Sequence, residues 1–167
     1  MRGYLTHSYL IALGSNVRHP RFGPPREVLA AAIEALQDAG LDVEAVSRVI
    51  ETPPLGPSRR RYANAAAVLE TSLDPPELLD LLQDIESTFG RIRRGARWGA
   101  RVLDLDIVLW SGGAWAEPRL IVPHPQFRAR TFVLAPATQI ASDWRDPITG
   151  LTLAHLQARL TRADPLA

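Results

Sequence analysis

The 167-residue sequence contains no lysine and no cysteine, and each absence removes whole classes of chemistry. A Walker A loop and a protein kinase both need a lysine on the phosphates, and Schiff-base catalysis needs an amine. None of these can be built here. Without cysteine there are no disulfides, no thiolate zinc sites and no cysteine nucleophile, which fits a reducing compartment. Long apolar runs are missing too. The N-terminal stretch holds a five-residue run, Tyr9 to Leu13, too short for a signal peptide or a membrane span. A net charge of +1 is low for a general nucleic-acid binder, so any anion site must come from local clusters of arginine. The expectation is a soluble cytoplasmic monomer that meets neither nucleic acid nor membrane. With 46% hydrophobic residues the chain supports one core, and one domain over residues 1–167 is expected.

What is present concentrates between Arg91 and Trp110, RIRRGARWGARVLDLDIVLW. Five arginines (Arg91, Arg93, Arg94, Arg97 and Arg101) are followed by an apolar strand that carries two aspartates. Side chains alternate along a strand, so Asp104 and Asp106 share one face while Leu103, Leu105, Ile107 and Leu109 are expected on the other. The two carboxylates start roughly 6.6 Å apart, close enough for both to reach one hard cation or to bridge two. A bare DxD is also readable as an amphipathic strand with a solvated acidic face. The arginines just upstream argue against that reading.

The rest of the chain reads as alternating elements. Tyr9 to Leu13 is a buried strand closed by Gly14, Ser15 and Asn16, and Pro25 to Asp38 is a one-sided helix stopped by Gly40. Leu41 to Ile50 alternates like a half-buried strand, and the prolines after Thr52 impose a stiff loop. Tyr62 to Thr71 is the next strand, with Tyr62, Asn64, Ala66 and Val68 on one face. Asp74, Pro75 and Glu77 form a helix start with capping-box spacing. The buried stripe of that helix is Leu78, Leu81, Leu82, Ile85 and Phe89, with Gln83 and Glu86 off it. Arg130 to Ile140 reads as a short helix or strand broken at Pro136, and Thr152 to Leu160 has weak helical spacing. Strand, helix, strand, strand, helix, strand is the ferredoxin-like α+β plan: an antiparallel sheet with helices on one face, here with C-terminal additions.

In order, the chain carries ALGSN (12–16), TPPLGP (52–57), YANAA (62–66), GRIR (90–93), RWGAR (97–101), LDLDI (103–107), PHP (123–125) and RTFVLAP (130–136). This ordered set resembles the 6-hydroxymethyl-7,8-dihydropterin pyrophosphokinase family, which moves a diphosphate from ATP onto a pterin alcohol in folate biosynthesis. The resemblance implies that Asp104 and Asp106 hold two magnesium ions, and that Arg93 and Arg101 join them in catalysis. It places Gln83, Arg93, Arg97, Trp98, Arg101, Ile107, Arg119, Ile121, His124 and Arg130 around ATP. The pterin would meet Thr52, Pro53, Leu55, Tyr62, Asn64, Trp98 and Phe132, with Tyr62 and Phe132 as the stacking rings. Tyr62, Phe132 and Trp98 are each readable as core aromatics as well, and His124 as a structural corner. Two rivals stand beside the enzyme: a ferredoxin-like RNA-binding module, which has no need of LDLD, and an inactive nucleotide or pterin sensor of the same family.

Overall fold

The computed structural model describes residues 5–52, 61–90 and 102–162. Strand β1 (His7–Ser15) is apolar on both faces, with Tyr9, Leu10, Ile11 and Leu13 all buried, and such a strand belongs in the middle of a sheet. It lies between β4 (Tyr62–Thr71) and β5 (Asp104–Trp110), antiparallel to both. On the far side of β4 run β2 (Asp42–Val46) and β3 (Ile50–Thr52), each paired antiparallel to it. The strand order is that of the ferredoxin-like plan.

The single strand expected over Leu41 to Ile50 is therefore two. Glu44 is an extra residue in the β2–β4 ladder, a bulge that twists the strand. Ser47 then replaces the ladder with its side chain: its Oγ accepts from the Ala66 amide at 2.8 Å while its own amide donates to the Ala66 carbonyl at 2.9 Å. The Arg48 amide donates away from the sheet, to Gln139 Oε1 at 2.8 Å.

Helix α1 (Pro25–Asp38) and helix α2 (Pro75–Thr88) cover one face of the sheet, both with the expected boundaries. At the start of α2 the Asp74 carboxylate accepts from the Glu77 amide, and the Glu77 carboxylate accepts from the Asp74 amide, each at 3.0 Å. These helices bury Leu29, Leu36, Leu78 and Leu82 against Tyr9, Ile11, Leu13, Leu69 and Leu105. Each fully buried leucine contributes about 1.5–3 kcal/mol relative to exposure.

The C-terminal additions divide between the faces: the hairpin after β5 adds Leu120 and Val122 to this same core, and the helices beyond it occupy the other face. Strands β6 (Trp115–Glu117) and β7 (Leu120–Val122) form a hairpin, and a 3-10 turn (Phe127–Ala129) leads into α3 (Thr131–Ala141) and then α4 (Leu153–Thr161). Phe127, Val133, Leu134, Ala137, Leu153 and Leu156 pack there on Leu10, Ala66, Val68 and Val108. Helices thus lie on both faces, and the one-face expectation holds for α1 and α2 alone.

Two further expectations change. Leu109 packs on the α3 side rather than with Leu105 and Ile107, because Val108 is an extra residue opposite β1 and reverses the alternation beyond it. Pro136 does not break the segment: it lies inside α3, where its ring removes one bond toward the first turn and leaves the rest of the ladder to the amides that follow. Among the described residues no helix is long and apolar enough to cross a membrane.

Candidate active site

At one end of the sheet the chain sets side chains in cross-strand rows. Ile50, Asn64, Gly14 and Asp104 are successive neighbours across β3, β4, β1 and β5. The adjacent row on the same face is Ala66, Ala12 and Asp106. The middle of both rows is nearly bare. A Cβ built on Gly14 would stand 3.2 Å from Asn64 Oδ1 and 4.0 Å from Asp104 Cβ, so the Asn64 amide uses the room that a side chain at this position would take. Asp104 and Asp106 are half-buried on this face, while Leu105 and Ile107 are buried on the other, as alternation requires. Carboxylate oxygens beside an open floor are the donor set a hard divalent cation takes.

The first turn of α3 stands over the second row. Ala12, Asp106, Val108, His124, Phe127, Arg130 and Val133 line a small gap there. The positive end of the helix therefore lies beside Asp106, a placement that favours anionic groups. Round the outer edge of β5 runs an open cleft of about 280 Å³, bounded by Leu79 of α2, the β6–β7 hairpin with Arg119 and Ile121, and His124. Leu105, Asp106 and Ile107 line it consecutively, so a ligand there meets the main-chain edge of the strand as well as its side chains. One cleft thus gathers Asp106 and Ile107 of β5, Arg119 and Ile121 of the hairpin, and His124.

His124 is held on two sides. Its amide donates to the Val108 carbonyl at 3.1 Å, and its Nδ1 accepts from the Gln126 amide at 3.2 Å. Burial lowers its pKa below the ordinary 6.5, and the Arg130 guanidinium lowers it further, against a smaller opposing effect of Asp104. The ring is neutral at pH 7, with Nδ1 as acceptor and the proton left on Nε2 as a donor. Arg130 is steadied by a hydrogen bond to Gln126 Oε1 and lies 5.5 Å from the Phe132 ring centre. Phe132 is 41% exposed, which rejects its reading as a core aromatic.

Other expected residues sit as follows. Tyr62 is half-buried opposite Thr52 at the start of β4, one step along the same face from the nearly buried Asn64. Arg119 is engaged with protein: it bonds Asp80 Oδ1 at 2.6 Å and lies 3.7 Å from Glu117. Gln83 follows Leu79 by one helical turn and is half-buried on α2, outside the lining of the cleft. Pro53, Leu55, Arg93, Arg97, Trp98 and Arg101 lie outside the described residues, as do the other arginines between 91 and 101.

The sequence reading put Glu86 off the buried stripe, yet it is 2% exposed and accepts from the Leu105 amide at 3.0 Å. Its spacing, four residues after Leu82 and three before Phe89, sets it at the margin of the stripe, but the bonding partner is on a strand distant in sequence, which periodicity does not encode. The part of Gln126 in holding both His124 and Arg130 was also missed. Its position between PHP and RTFVLAP was the available signal.

A family model described as 7,8-dihydro-6-hydroxymethylpterin-pyrophosphokinase (HPPK) matches residues 10–142. A Synechocystis protein named 2-amino-4-hydroxy-6-hydroxymethyldihydropteridine pyrophosphokinase is 40% identical over 164 residues, which cover 96% of this chain and 81% of the relative. Proteins of the same name from Pseudomonas aeruginosa and Haemophilus influenzae are 44% and 43% identical, over 82% and 93% of this chain and 82% and 97% of their own lengths. Among solved structures, wild-type Plasmodium falciparum HPPK-DHPS aligns with a TM-score of 0.71 over 95% of this chain at 12% identity, a likeness of fold. This chain spans 42% of that one. With the LDLD strand, the open glycine floor and the flanking cleft in place, the match over residues 10–142 and the identity to full-length relatives show that the chain belongs to the 7,8-dihydro-6-hydroxymethylpterin-pyrophosphokinase family.

Proposed function

We propose that this protein transfers the diphosphate of ATP to the hydroxyl of 6-hydroxymethyl-7,8-dihydropterin and releases AMP, with Asp104 and Asp106 holding two magnesium ions. The observation that carries the reading is the row Asn64, Gly14, Asp104: an amide suited to a heterocycle edge faces a carboxylate across an open floor. The pterin alcohol oxygen forms a bond to the β-phosphorus, the bond from that phosphorus to the αβ-bridging oxygen breaks, and AMP departs with the bridging oxygen. The hydroxyl proton passes to solvent. Magnesium bound at the two carboxylates would screen phosphate charge, the largest obstacle to attack by a neutral alcohol.

The chain's own residues supply position. The cleft along β5, lined by Ile107, Arg119 and Ile121, holds the nucleoside in this reading, with Gln83 near it. Neutral His124 offers Nε2–H to a phosphate oxygen, and Arg130 offers a planar guanidinium. Tyr62 and Phe132 stack on the pterin, Asn64 reads its edge, and Thr52, Pro53 and Leu55 complete the slot. From the sequence, Arg93, Arg97 and Arg101 grip the phosphates and Trp98 closes over both substrates. In this reading residues 1–167 work as one domain and a monomer in the cytoplasm, on small molecules and without nucleic acid.

The deciding experiment supplies purified protein with ATP, magnesium and hydroxymethyldihydropterin and measures AMP, with pterin-free and EDTA-treated controls. AMP formed only when pterin and metal are both present is the expected result. Folded protein that binds both substrates yet forms no AMP would instead make the chain a sensor.

A further inference from the structure

Asp146 lies beyond the matched segment, in the turn between α3 and α4, and is fully buried. Its carboxylate is saturated. Arg128 donates to both oxygens, Nε at 2.5 Å and a terminal nitrogen at 2.7 Å, and the Ile148 amide and Thr149 hydroxyl add bonds of 3.0 and 2.7 Å. Such a two-pronged arginine–carboxylate pair fixes orientation as well as position. Arg128 is the middle residue of the 3-10 turn, and its guanidinium also lies 4.7 Å from the ring centre of Phe127, itself fully buried.

That turn is the only chain between His124 and Arg130, and its bonds run to both. The Phe127 amide donates to the His124 carbonyl at 3.3 Å, and the Arg130 amide donates to the Phe127 carbonyl at 3.3 Å. Gln126, immediately before the turn, donates to the His124 ring and accepts from the Arg130 guanidinium. Phe127 lines the same gap as Asp106, His124 and Arg130. The backbone is tied at both ends, by the His124 amide to Val108 and by the Arg130 carbonyl to α3, and the turn between them is held by buried Phe127 and by the Arg128–Asp146 pair.

We propose that Asp146 is a positioning residue for the nucleotide phosphates: acting through Arg128, it fixes the turn that presents His124 and Arg130. The inference rests on the proposed contacts of those two residues with ATP. Of the pterin residues, Tyr62 and Asn64 are anchored on β4, apart from the turn, and Phe132 follows Arg130 by two residues inside α3, where the helix ladder and its packing on the sheet hold the backbone. Loss of the Arg128–Asp146 pair therefore weakens ATP binding selectively.

The test compares wild type, Asp146→Asn and Arg128→Lys by calorimetric titration with magnesium ATP and by the KM values for both substrates. A misplaced positioning group weakens binding or turnover by up to roughly 100-fold. About ten-fold weaker ATP binding is expected in each variant, with the pterin KM at saturating ATP unchanged and no further loss in the double variant. Equal ATP affinity in folded variants, or equal losses for both substrates, overturns the inference. Should Asp146→Asn not fold, Arg128→Lys decides, since it keeps the charge and loses only the two-pronged bond. Wild-type protein that binds no ATP would instead overturn the proposed function itself.

Discussion

The Glu86 carboxylate accepts a hydrogen bond from the Leu105 amide at 3.0 Å, so a buried acid on α2 grips the main chain of β5 between the two aspartates. Its removal leaves a buried amide without that partner. Glu86→Ala is expected to lower stability by about 1–3 kcal/mol in urea unfolding and to reduce turnover as well. Glu86→Gln keeps an acceptor oxygen and should retain most of both. Equal stability of the alanine variant and wild type would show that the bond contributes nothing.

Asp104→Ala and Asp106→Ala separate chemistry from folding. Both side chains are half-buried at the open end of the sheet, and neither belongs to the apolar core. Each substitution should lower AMP release by about 100-fold or more while the melting temperature moves little. Activity within a few-fold of wild type would sink the metal assignment.

Gly14→Ala tests the open floor. The added methyl would stand 3.2 Å from Asn64 Oδ1, so the amide must shift by a few tenths of an ångström. The expected result is normal folding with a pterin KM raised about ten-fold and an unchanged ATP KM. An unaltered pterin KM would remove Asn64 from the recognition edge.

Acid stability should begin to fall at two different pH values. The pKa of His124 is lower in the folded chain than its ordinary 6.5, so on acidification the unfolded chain takes up the proton first. The associated stability is complete above pH 6.5 and declines as pH drops through the folded value. Burial alone would raise the pKa of Asp146, but the bonds from Arg128, Thr149 and Ile148 outweigh it and hold the pKa at about 2, against 3.8. Its contribution, about 2 kcal/mol, is present above pH 3.8 and lost as pH falls through 2. Urea unfolding at pH 7.5, 5.5 and 3 checks both: His124→Gln should flatten the first decline and Asp146→Asn the second.

Local signals carried much of the fold. Pro25 and Gly40 bound α1, the Asp74–Glu77 box starts α2, and alternation separates Asp104 and Asp106 from Leu105 and Ile107. What escaped was decided across the sheet. The bulge at Val108 depends on register with β1, the break at Ser47 on a bond to Ala66, and the burial of Glu86 on the amide of Leu105. None of these partners is near in sequence, and no periodicity encodes them. The acidic strand and His124 fall in the ordered motifs, Arg119 and Ile121 were implied only by the family resemblance, and Gln126 and Asp146, which bond other side chains, carried no motif of their own.

Because Gly14 on β1 separates Asn64 on β4 from Asp104 on β5, the interval between them is two strand spacings, about 10 Å. Main-chain hydrogen bonding maintains that interval, and no side chain can stretch or shrink it. Under the proposed function the sheet is in effect a gauge: it would set how far a ring held at one strand lies from phosphates held at another. A substitution at the rim leaves that spacing unchanged.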